Sequence, residues 1–139
     1  MPRSQKKRST FWNKDSLACA VLGSLLGTYL DLYFVGKGLY HFPHRLLPEI
    51  FSIHIVFTLI GLPILTMVFL YSLSQVNRLG KAAIILFISL LMPIFEKIAE
   101  RLGVFVHSDK WMHVYSFFGY LLFFTIISGV YFWLRKKSG

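Results

Sequence analysis

Cysteine is almost missing from this chain of 139 residues: Cys19 is the only one. An internal disulfide is therefore excluded, and so is a thiolate metal cluster within one chain. Cys19 reads as a small apolar packing residue near the start of the first apolar run. Acidic residues are scarce as well, six against fifteen Lys and Arg, and charged residues make up only 15% of the chain. A soluble domain normally carries about 25%. The familiar signatures of chemistry are lacking too. There is no phosphate-cradling glycine loop, no HExxH or comparable ligand spacing and no Ser–His–Asp pattern. Low-complexity tracts and a convincing internal repeat are also missing.

Apolar residues fill the space that charge leaves. They are 55% of the chain, and Phe alone contributes 14. The net charge of +9 would suit nucleic acid if the basic residues formed a patch. They sit instead mainly at the two chain ends and in one short turn, with long apolar runs between them. That is the pattern of a membrane protein obeying the positive-inside rule, so the expected partners are membrane lipids and not nucleic acid. A cleaved signal peptide is not expected, because the first apolar run ends in Asp31-Leu32-Tyr33-Phe34-Val35 with no small-residue cleavage pattern.

The runs predict an all-α fold, a four-helix transmembrane bundle with both termini cytoplasmic. Residues 1–15 read as a basic cytoplasmic tail, with Phe11 and Trp12 at the interface. The spans are expected at about 16–35, 50–73, 82–102 and 112–134, followed by a basic end over 135–139. Gly23 and Gly27 form a GxxxG pair that either admits another helix or stands there by chance. Pro63 predicts a kink in the second span. The third span has only 14 uncharged residues, Ala82 to Phe95, so it must run on through Glu96 and Glu100 to cross. Trp111 and Trp133 fit the two aromatic belts. The loop over 36–49 is expected to lie on the membrane surface, with His41 and His44 exposed and Tyr29, Tyr33, Tyr40 and Tyr115 as interface anchors. Four spans leave ten Lys and Arg on the side of the termini and five on the other, which places both termini inside.

That topology brings Asp31, Glu49, His54, Glu96, Glu100 and His113 to the outer side, and none to the inner halves. Ser89, Pro93, Glu96 and Glu100 share one helix face, as do His113, Ser116 and Tyr120. An isolated carboxylate in hydrocarbon is costly, so these faces are expected to turn inward. Asp31, Glu96 and His113 should approach one another, with Glu100 at the lip and His54 as a central partner. The cluster then either holds helices together, through Lys37, Lys97, Arg101 or His113, or forms a polar site for an ion, a proton or a lipid headgroup. Two or three carboxylates with one or two histidines could bind a divalent metal. No ligand motif supports that, so no metal and no cofactor is expected.

The strings Asp31-Leu32-Tyr33-Phe34-Val35-Gly36-Lys37-Gly38-Leu39-Tyr40, Pro48-Glu49-Ile50-Phe51, Phe95-Glu96-Lys97-Ile98-Ala99-Glu100 and Tyr115-Ser116-Phe117-Phe118-Gly119-Tyr120 resemble a family of small uncharacterised multi-pass membrane proteins of spore-forming Gram-positive bacteria. The resemblance spans most of 16–134 and implies a bacterial plasma membrane, without implying an activity. Three roles follow. The leading one is structural or interactive, without enzymatic activity. The second is a small transport, ion-handling or accessory protein working through the outer polar site; at this size transport would need a homodimer or a larger membrane partner. The third is an intramembrane enzyme acting on lipid or envelope precursors, with Glu96 or Glu100 as base and His113 as acid or base.

Overall fold

The structure, a computed structural model, describes residues 13–138. Most of the tail expected over 1–15, with Phe11 and Trp12, lies outside the described residues, as does Gly139. Four stretches are long and apolar enough to cross a membrane: Lys14–Gly36, Phe57–Ser74, Arg78–Arg101 and His113–Lys137. The helices are α1 (Lys14–Gly36), α2 (Leu62–Ser74), α3 (Arg78–Arg101) and α4 (His113–Ser138). Two-residue strands sit in the long loops, β1 at Tyr40–His41 and β2 at Val106–His107. They pair antiparallel, Tyr40 opposite His107 and His41 opposite Val106. These loops define a loop end. The opposite, terminal end carries the start of α1, the end of α4 and the turn between α2 and α3.

Local chemistry fixes the starts. Asn13 accepts the N–H of Ser16 at 2.8 Å and caps α1. Asn77 accepts the N–H of Gly80 at 2.9 Å, so α3 begins at Arg78, ahead of the expected Ala82. The second helical stretch departs from expectation in the other direction. Residues 50–54 are not helical, although the apolar run begins at Ile50. Arg45 explains this: its guanidinium donates to the carbonyls of Phe42 (2.6 Å), Pro48 (3.0 Å) and Phe51 (2.5 Å) and gathers the loop around itself. Leu47 takes a φ of 51° within that loop.

Pro63 acts through the turn before it. Phe57–Gly61 forms a π-helix, in which the N–H of Leu62 donates to the carbonyl of Phe57. The next bond in that pattern would join Thr58 to residue 63, and proline has no N–H. The hydroxyl of Ser24 on α1 donates to the Thr58 carbonyl instead, at 2.7 Å. Gly23 and Gly27 lie on the same face of α1. A Cβ at Gly23 would stand 3.1 Å from Thr66 Oγ1, and one at Gly27 would collide with the Leu62 side chain. Both glycines therefore sit at the contact with α2.

The core joins Cys19 to Leu62, Phe69, Leu70, Leu73, Phe124, Ile127 and Tyr131. One acidic group departs from the expected grouping. Asp15, buried in the first turn of α1, lies at the terminal end, 3.8 Å from Arg135. Its sequence position at the edge of the first run hides the fact that it borders the bundle, where the partial positive charge of the helix start favours a carboxylate.

Candidate polar site and cavity

At the loop end an aromatic layer sets the positions of the polar groups. Tyr40, Phe105 and Trp111 are buried together, with the Tyr40 ring 5.0 Å from Trp111 and 5.2 Å from Phe105. Pairing of β1 with β2 holds this layer in place. Tyr40 is thus an interior residue and not the interface anchor that its position suggests, whereas Tyr29, Tyr33 and Tyr115 are exposed. Its hydroxyl donates to Asp31 Oδ1 at 2.6 Å. Burial, and then the neighbouring Asp31 carboxylate, push the Tyr40 hydroxyl far above the ordinary phenol range, so it stays a donor.

Glu96, one face-turn before Glu100 on α3, is the hub. Oε1 accepts from His113 Nδ1 at 2.6 Å and from Trp111 Nε1 at 3.3 Å, and Oε2 accepts from the Ser116 hydroxyl. Three donors, His113 and Ser116 from the start of α4 and Trp111 from the loop just before it, thus converge on one carboxylate. Glu100 sits farther out. Its Oε1 is 3.2 Å from His113 Nε2 and its Oε2 is 3.0 Å from His107 Nε2. His107 Nδ1 donates to the Ser108 carbonyl at 2.8 Å. Among the described residues the partners of Asp31, Glu96 and Glu100 are Tyr, Trp, Ser and His, and no Lys or Arg forms an ion pair with them.

A half-open cavity of about 750 Å³ lies between the helices at this end. Asp31, His54 and Glu96 line it, with Tyr40, Ser116 and Tyr120 beside apolar side chains such as Leu30, Ile60, Met92 and Phe95. The site residues expected from sequence therefore divide. Glu96, Glu100 and His113 are in contact. Asp31 faces the same cavity as Glu96 but bonds to Tyr40. His54 also faces the cavity and is not a central partner: its Nδ1 accepts the Phe57 N–H at 3.3 Å and its ring packs on Phe42. Glu49 is an exposed loop residue. His107, in the loop after α3, is not among the site residues expected from sequence. Its spacing was the available signal, with Glu100, His107 and His113 straddling Gly103, whose φ of 81° reverses the chain after α3.

No protein-family model, curated protein or solved structure matches the chain. The class defined by fold and site is a small all-α chain of four apolar helices, packed at one end and hollow at the other.

Proposed function

We propose that this is a multi-pass plasma-membrane protein, with both termini cytoplasmic, that holds a lipid-like amphiphile in the cavity at its loop end. The excess of Lys and Arg at the terminal end supports the orientation. Outward-facing side chains such as Val21, Leu59, Leu86 and Leu122 are apolar and exposed along the helices, as lipid contact requires. The observation that carries the ligand reading is the cavity itself: about 750 Å³, walled by apolar side chains, with Asp31 and Glu96 on it. Volumes of roughly 300–1,000 Å³ are usual for small-molecule sites. Among the described residues the only hydrogen bond to Asp31 comes from Tyr40, so the second oxygen is available to a headgroup. The matching ligand has an apolar body and a headgroup that donates hydrogen bonds or carries positive charge. Binding is favoured over catalysis because Glu96 already serves three donors and is poorly placed to act as a base.

Gly119 lines the cavity, and a Cβ there would meet open space. Gly119→Leu should therefore fill the cavity and fold at least as well as the parent. Native mass spectrometry of the detergent-purified chain should find an amphiphile retained by the parent and lost by the variant. Equal retention, or none in either, rejects the cavity as a binding site. Orientation is tested separately. Cys19 is fully buried and Asp109 exposed, so Asp109→Cys should label from outside intact cells. A reporter fused after Gly139 should read cytoplasmic.

A further inference from the structure

We propose that Glu100, His107 and His113 form a binding site for a divalent transition metal of the Zn²⁺ type. The three residues come from the end of α3, from β2 and from the start of α4, and one ligand atom from each lies within 4.8 Å of the others. What singles them out is the state of the two imidazoles. His107 Nδ1 faces the Ser108 carbonyl and His113 Nδ1 faces the Glu96 carboxylate, groups that accept hydrogen bonds. Each ring therefore carries its proton on Nδ1. In the neutral tautomer Nε2 then presents a lone pair, and both Nε2 atoms point at the oxygens of Glu100, at 3.0 and 3.2 Å. Lone pairs that converge in this way repel unless a proton or a metal cation lies among them.

The spacing suits a metal. Ligands about 2.0–2.1 Å from a tetrahedral ion stand about 3.3 Å from one another. The two Nε2···O separations, each to a different oxygen of Glu100, are close to that, so the carboxylate would face the ion with both oxygens. Glu96 on His113 and the Ser108 carbonyl on His107 are the supports that metal-binding imidazoles require on their second nitrogen. Glu100 also sits in the last turn of α3, where the partial negative charge of the helix end makes a carboxylate unfavourable and a neighbouring cation favourable. Two nitrogens and one carboxylate select Zn²⁺, Co²⁺ or Ni²⁺ over Mg²⁺ and Ca²⁺, which prefer all-oxygen sites. Three protein ligands leave a position for water or another ligand, and Glu100 is 39% exposed, so solvent reaches it. This inference is independent of the amphiphile reading. It adds a metal that would lock the loop end and fix Glu96, through His113, in the cavity wall.

The test uses the full chain without an affinity tag, purified in detergent, stripped with chelator and titrated with Zn²⁺ against a chromogenic chelator. One Zn²⁺ per chain is expected, with no competition from excess Mg²⁺ or Ca²⁺. His107→Ala and Glu100→Gln should each weaken binding more than tenfold. Glu96→Gln should weaken it by about 10–100-fold through the support that it gives His113. His41→Ala and His44→Ala should leave it unchanged. X-ray absorption of the zinc-loaded parent requires no variant to fold, and it should show two imidazole ligands. Absence of stoichiometric zinc, a spectrum without imidazole, or full affinity in His107→Ala would each overturn the site.

Discussion

The two ends of the bundle solve different problems. At the terminal end Phe69, Leu70, Leu73, Phe124, Ile127 and Tyr131 are wholly buried, and an ion pair between Asp15 and Arg135 joins α1 to α4. At the loop end the helices line a cavity, and hydrogen bonds among Asp31, Tyr40, Glu96, Trp111, His113 and Ser116 join a small buried aromatic layer in holding the elements together. One end is held by shape and the other by directed polar contacts. A fold of this size can keep a hollow, charged end because the opposite end is filled.

The largest effect should come from removing the hub of the polar end. Glu96→Ala leaves the donors of His113, Trp111 and Ser116 without their acceptor and should cost about 3 kcal/mol, read as a lower melting temperature in detergent. A loss below about 0.5 kcal/mol would mean that the loop end is not held by these bonds, and the contrast between the ends would fail. Next, Gly23→Leu and Gly27→Leu should each cost about 1–3 kcal/mol by overpacking the contact with α2. Gly36, whose Cβ would meet nothing within 4 Å, is the control, and Gly36→Leu should change little. Tyr40→Phe removes the donor to Asp31 and should cost about 1–3 kcal/mol while leaving the aromatic layer in place. The smallest effect belongs to the packed end. Tyr131 is fully buried and, among the described residues, its hydroxyl has no hydrogen-bond partner. Tyr131→Phe should be neutral or stabilising by up to about 1 kcal/mol. A marked loss there would show that the packed end hides a polar contact of its own.

The sequence carried the features that depend on local pattern. Four apolar runs announce four helices, and the need for length carries the third run through Glu96 and Glu100 into α3, Arg78–Arg101. Helical spacing likewise put Glu96 with Glu100, and His113 with Ser116, on common faces. What escaped depends on distant partners. Nothing near Ile50 signals that Arg45 will draw three loop carbonyls away from a helix. The pairing of Tyr40 with His107 joins segments more than sixty residues apart, so neither the burial of Tyr40 nor the approach of His107 to Glu100 is visible in hydropathy. Asp15 was hidden by its neighbourhood, since it adjoins a basic tail and its partner Arg135 lies near the other end of the chain.

The bond from Ser24 to the Thr58 carbonyl also bears on how such a chain is made. In a bilayer no water completes a bare carbonyl, and Pro63 denies this one a donor from its own helix. On the proposed membrane reading, the second helix would enter the bilayer with a gap that Ser24 of α1 closes. Because α1 is synthesised first, Ser24 is already at hand when Thr58 emerges. On that reading, insertion of the first two helices as a hairpin would close the gap at once, and a rearranged gene that placed α1 last would deliver the second helix with its gap still open.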